Sequence, residues 1–162
     1  MICYFIPVQK NLFVGIVISS TNAIYLNTSP KSYSDIEQEI ASIPDSMIEK
    51  NIPQSIRMLA DKISSITQGF DQDTSDTLLD LSNYTEKQVL VIKTAMKIPV
   101  NEIWPYSKVA ELAGLPKAQR FVGTTMKVLR QPYIVPVHRV KSMAYIRKKS
   151  GQSKRRFNRM PI

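Results

Sequence analysis

The chain has one cysteine, Cys3, and one histidine, His138, among its 162 residues. A lone thiol forms no intramolecular disulfide and builds no cysteine-based zinc cage, and a lone histidine without partner thiols gives no metal site. Long hydrophobic runs are missing as well: no window approaches the ~18 uninterrupted apolar residues of a membrane span. The opening residues, MICYFIPVQKNLF, lack the basic stretch, apolar run and small-residue cleavage site of a signal peptide. These absences point to a cytoplasmic protein with no membrane partner and no cofactor. At 43% hydrophobic residues the chain can bury a real core, as one medium domain or two small ones.

Acidic residues are absent after Glu111, and the net charge of +9 is unevenly spread. Residues 1–83 hold five Lys/Arg against ten Asp/Glu, a net −5, whereas residues 84–162 hold seventeen against three, a net +14. The run RKKSGQSKRRFNR near the end supplies seven of those cations, and without it the second half is still +7. Such asymmetry points the second half at a polyanion, nucleic acid ahead of an anionic membrane or a merely solvated basic surface.

What is present reads as strands followed by helices. LFVGIVIS (12–19) and AIYLNT (23–28) are rich in β-branched and aromatic residues with STN between them, the pattern of a hairpin. SYSDIEQEIASI (32–43) opens on cap-type serines, and PQSIRMLADKISSIT (53–67) starts on a proline favoured at the first helical position. The acidic stretch DQDTSDTLLDLSN (71–83) reads as a linker. Residues 85–98 begin with Thr85 and Gln88 in capping-box spacing, and Pro99 ends that helix. Two short helices follow, over 106–114 and 116–129, joined by Gly-Leu-Pro like a helix-turn-helix. On the second, Ala118, Val122 and Thr125 share one face, while Arg120, Thr124 and Lys127 share another at spacings that suit a helix laid on DNA.

Residues 134–140, IVPVHRV, add a more specific pattern. A proline, one small side chain and then His-Arg-Val is how some enzymes present a nucleophile beside a base, yet the small side chain here is Val137. Together, Tyr106, GLPKAQRFVGTTM (114–126) and PVHRV (136–140) resemble the DNA-binding, active-site domain of the O-alkylguanine-DNA alkyltransferases. That family carries a tyrosine before the first helix, a GxPKAxRxVGxAM recognition helix and a PCHRV site. The spacing from Arg120 to His138 matches without a gap, and the resemblance covers about 85–141.

The resemblance implies a ribonuclease-H-like α/β N-terminal domain and a mainly α, winged-helix-like C-terminal domain. It implies a helix in the DNA minor groove and an alkylated guanine flipped out of the stack, since its reacting atom is otherwise buried. Tyr106 would crowd the phosphate, Arg120 would fill the vacated stack, and Lys127 would meet phosphate. Lys117, Gln119, Gly123 and Thr124 complete the expected DNA-binding set. Pro136, Val137, His138, Arg139 and Val140 form the motif.

The departures concern the chemistry. The family transfers the alkyl group to its own cysteine, because a thiolate is accessible and nucleophilic near neutral pH. Val137 stands at that position, and Cys3 lies outside the motif. The family's acid partner for the histidine sits on a C-terminal helix, whereas here only Glu111 or an acid in the N-terminal half is left. The glycine-rich substrate loop and last helix are also missing from 142–162, and Leu129 stands where a hinge asparagine is usual. His138 then reads as a structural histidine bonded to backbone.

The expectation is an alkyltransferase-like homologue that is not an enzyme and recognises alkylated guanine for DNA repair, with double-stranded DNA and excision-repair proteins as partners, on the nucleoid if prokaryotic. Its units are 1–70, a linker 71–83, a DNA-binding domain 84–146 and a basic flexible tail 147–162. Two other readings stay open, an active methylated-DNA methyltransferase and a helix-turn-helix regulator with no lesion role.

Overall fold

The computed structural model describes residues 1–149. Three strands, β1 (Ile2–Gln9), β2 (Leu12–Ile18) and β3 (Ile24–Asn27), form an antiparallel meander. After helix α1 (Tyr33–Ile40), a two-residue strand β4 (Met47–Ile48) joins β1 in parallel, giving the order β3-β2-β1-β4. Helix α2 (Gln54–Thr67) follows, with Pro53 as its N-cap rather than its first helical residue.

Strand alternation divides the sheet between two cores. Tyr4, Ile6, Val14, Ile16 and Ile18 pack with Ile56, Leu59 and Ile63 of α2. Cys3, Phe5 and Val17 pack with Ile36 and Ile40 of α1. A Cβ on Gly15 would lie 2.6 Å from Ile36 Cγ2, so the missing side chain lets α1 press against β2. β1 went unrecognised in the sequence because both its faces are buried. It therefore shows no polar alternation, and Pro7 interrupts it beside a register shift.

The second half is built on α3 (Glu86–Ala95). Its start is fixed as the sequence specifies: Thr85 N–H donates to Gln88 Oε1 at 2.9 Å, and Gln88 N–H to Thr85 Oγ1 at 3.4 Å. Strand β5 (Trp104–Pro105) leads into α4 (Tyr106–Leu112). Gly114, at φ +73°, then reverses the chain, and Leu115 N–H bonds Ala110 O at 2.9 Å. Helix α5 (Gln119–Lys127) starts three residues later than its sequence pattern indicates, because Lys117 adopts φ +67° and no helix passes through it. Val122, Thr125 and Met126 face the core shared with Val91, Ile92, Val109 and Val140. A single 3₁₀ turn (Val137–Arg139) leads into β6 (Val140–Lys141), which pairs with β5 in parallel.

Helix α6 (Met143–Lys149) closes the described chain, where the sequence reading held a final helix to be missing. Ser142 starts it, accepting from Tyr145 N–H at 3.1 Å. Residues 147–149, assigned to the tail, form its last turn, and the rest of the tail, 150–162, lies outside the described residues.

Residues 130–135 cross from one half to the other under polar clamps. Gln131, fully buried, donates to Tyr25 O at 2.6 Å and to Asp80 O at 3.2 Å, and accepts from Tyr84 Oη at 2.9 Å. Asn27 donates to Pro132 O at 2.7 Å and Thr74 to Ile134 O at 2.7 Å. Ile134 enters the α2-side core of the sheet while its neighbour Val135 enters the core of the second half.

A second clamp is ionic. Arg139, 3% exposed, donates from Nε to both Asp71 oxygens at 3.0 Å and from Nη2 to Oδ1 at 2.7 Å. Its remaining donors reach Ile98 O at 2.8 Å and Gln72 O at 2.5 Å, and Asn101 N–H reaches Asp71 Oδ2 at 2.8 Å. Burial alone would raise the Asp71 pKa, but the Arg139, Asn101 and His138 hydrogen bonds outweigh it and hold the carboxyl well below its ordinary value of 3.8.

Two outcomes follow from this packing. Thr125 is fully buried and its hydroxyl has no hydrogen-bond partner, so Thr125→Val should raise the urea midpoint by the equivalent of about 1 kcal/mol; an unchanged or lower midpoint counts against the packing described. Asp71→Asn should cost on the order of 3 kcal/mol at neutral pH by leaving Arg139 without its counter-charge. A depressed native pKa stabilises fully above the unfolded value and is lost as pH falls toward the folded one. The gap between parent and variant, measured by denaturation from pH 7 downward, should therefore narrow only below about pH 4. A gap independent of pH would show that the carboxylate charge is irrelevant.

Candidate nucleic-acid interface

The groove between the start of α4 and the exposed side of α5 encloses about 490 Å³ and is lined by Tyr106, Gln119, Arg120, Gly123, Thr124 and Lys127. Helical spacing explains the set: with Val122, Thr125 and Met126 held in the core, residues 120, 124 and 127 must face outward. Arg120, Thr124 and Lys127 are all exposed. Neither Arg120 nor Lys127 makes an ion pair among the described residues, so both charges are available to a ligand. The Thr124 hydroxyl donates back to Arg120 O at 3.1 Å. Gly123 has ordinary helical geometry, and a Cβ there would sit 3.8 Å from the Tyr106 ring. Its effect is to widen the groove in front of Tyr106, not to relieve backbone strain. Lys117 is exposed in the preceding turn and does not line the groove.

The groove lining includes none of residues 136–140. Pro136 N-caps the 3₁₀ turn, which is held by Arg139 N–H to Pro136 O at 2.9 Å. Val137 packs partly buried on the core of the second half, Val140 is 2% exposed, and Arg139 is the buried ionic clamp already described. His138 corrects its sequence reading: it bonds no backbone group, and Nε2 lies 2.8 Å from Asp71 Oδ1. An ionised carboxylate only accepts, so Nε2 carries a proton toward Asp71. Its Nδ1 is buried with no hydrogen-bond partner among the described residues.

Asp71 was missed because its partners lie 67 and 68 positions away in sequence. The one available signal was by elimination: with no acid after Glu111, a carboxylate for His138 had to come from upstream. Gln131 and Tyr84 carried no signal at all. Cys3 is fully buried on the α1 side of the sheet, while Ile134 reaches the sheet from the α2 side, so the thiol lies on the far face from the motif segment. Burial raises its pKa and keeps it a neutral thiol. No helix among the described residues is long and apolar enough to cross a membrane.

Residues 86–157 match the family model for the DNA-binding domain of 6-O-methylguanine DNA methyltransferase, a match that spans less than half of the chain. No curated protein matches in sequence. Solved structures do match in fold. The OGT of Mycobacterium tuberculosis in complex with DNA aligns at TM-score 0.64 and 21% identity, over 89% of this chain and 80% of that one. The O6-methylguanine methyltransferase of the same organism aligns at 0.59 and 21%, over 98% and 94%. The O6-methylguanine-DNA methyltransferase of the hyperthermophilic archaeon Pyrococcus kodakaraensis aligns at 0.57 and 16%, over 88% and 86%. These matches correct the expectation that the chain is not an enzyme. That expectation rested on departures from a motif, Val137 at the thiol position first among them, whereas the matched family model and solved neighbours are of methyltransferases. The chain thus has the mixed α/β fold of solved O6-methylguanine methyltransferases, and its residues 86–157 are similar to the DNA-binding domain of that family.

Proposed function

We propose that this chain binds double-stranded DNA through the α4–α5 groove and recognises alkylated guanine in DNA repair. The observation that carries the reading is the convergence of Tyr106, Gln119, Arg120, Gly123, Thr124 and Lys127 on one groove, with Arg120 and Lys127 in no ion pair among the described residues. In this reading α4 and α5 act as the helix-turn-helix of a winged-helix-like domain spanning 84–146, joined by 71–83 to a ribonuclease-H-like domain over 1–70. Gly123 lets a sugar-phosphate strand approach α5, and Tyr106 stands where a phosphate would be crowded. Arg120, planar and charged, takes the stacking space of a base rotated out of the helix and donates to its orphaned partner. Lys127 and Lys117 meet phosphates, and Gln119 and Thr124 supply neutral donors to the strand. His138 is held through Nε2 by Asp71 beside Val137. The work would be done in the cytoplasm, on nucleoid DNA in a prokaryote, with excision-repair proteins as further partners.

Two measurements test this. With about five phosphate contacts, the logarithm of the DNA affinity should fall with the logarithm of salt at a slope of about −4 to −5. A flat slope would remove nucleic acid as the ligand. In the second, a fluorescent base analogue opposite α5 should brighten when the parent binds and stay dim with Arg120→Ala, which also loses any preference for an alkylated duplex. Equal brightening by both proteins would reduce Arg120 to one more phosphate contact.

A further inference from the structure

A second cavity lies away from the α4–α5 groove and shares no lining residue with it. It encloses about 750 Å³ between residues 73–81 and the end of α3. Its floor is apolar, with Leu79, Leu81, Ile92, Met96 and Ile98 among the lining side chains.

One wall is a strand edge. Ile24 N–H donates to Leu78 O at 2.9 Å, and Asp80 N–H donates to Ile24 O at 2.9 Å, so the segment around Leu79 adds itself in parallel beyond β3. In that pattern the flanking residues face the sheet, and the N–H and C=O of Leu79 point away from it. Among the described residues neither group makes a hydrogen bond and Leu81 N–H makes none, while Leu81 C=O accepts from Tyr84 N–H at 3.1 Å. An unpaired row of this kind is a template for another strand.

The opposite wall is α3, which carries the charge. Lys93, on its last turn, and Lys97, just past its end, are exposed and make no ion pair among the described residues. Asp73 is the only acid in the lining, and its carboxylate is engaged by Ser75 N–H at 3.0 Å. A free strand edge facing a helix across an apolar floor is the arrangement by which peptide-binding domains add an extended ligand strand.

We propose that this groove binds an extended, acidic peptide segment of a partner protein. The segment pairs with the N–H and C=O of Leu79 and with the N–H of Leu81. It sets alternate apolar side chains onto Leu79, Ile92 and Met96, and brings its carboxylates to Lys93 and Lys97. The proposal stands independently of the DNA reading, since the two surfaces share no residue.

The probe is a fluorescein-labelled, end-capped octapeptide alternating glutamate with valine or leucine, titrated into the full chain. Saturable binding is expected, weakened at least about tenfold by the double variant Lys93→Glu, Lys97→Glu, which places like charges against the peptide. On binding, the amides of Leu79 and Leu81 should gain protection from hydrogen exchange, which a peptide bound only through its charges would not produce. The same octapeptide with lysine for glutamate should not bind. Absence of binding, indifference to the lysine reversals, unprotected amides at 79 and 81, or displacement of the peptide by duplex DNA would each overturn the proposal. The last would assign Lys93 and Lys97 to the DNA surface.

Discussion

The ion pair between Asp71 and Arg139 is the constraint on which the site depends. Arg139 lies in the core with almost no exposed surface, and an unpaired guanidinium there is costly enough that the linker must come to it. Asp71 answers with both oxygens and takes His138 and Asn101 N–H at the same time. One carboxylate thereby fixes the start of the 71–83 segment, the turn at 98–101 and the motif at 136–140. The Nε2 proton of the single histidine follows from the same contact. The pair is a poor source of net stability compared with a well-packed apolar substitute, so its worth lies in the geometry it imposes.

The N-terminal half is tied to this geometry through backbone as well as charge. Residues 130–135 belong to no helix or strand. Their backbone groups and one amide are satisfied instead by β3, Thr74 and Tyr84. Ile134 and Val135 then anchor the segment in two different cores. The motif therefore reaches its place from a segment that belongs to neither half alone. Substitutions in β3, far from the groove in sequence, are positioned to move it.

Local chemistry was legible in the sequence and non-local chemistry was not. The α3 cap needs two residues three apart and was readable, as was the β2–β3 hairpin from its turn residues. The outward face of α5 followed from period alone, although its first turn did not, because the left-handed Lys117 has no residue-type signal as a glycine would. β1 was hidden by being buried on both faces. Asp71 looked like one more acid in a polar linker, and nothing local distinguishes it from Asp73 or Asp76. The helix after the motif was hidden because the sequence motifs end at Val140, whereas the family model carries the similarity on through 157.

Charge distribution and fold give one arrangement: an acidic α/β half that braces a basic helical half, with an exposed groove on the latter lined in part by Arg120 and Lys127. The measurement that tests this account most directly is the affinity of the full chain for two duplexes that differ only in one O6-methylguanine, at the same ionic strength. The account predicts tighter binding to the modified duplex. Equal affinity for both would contradict it.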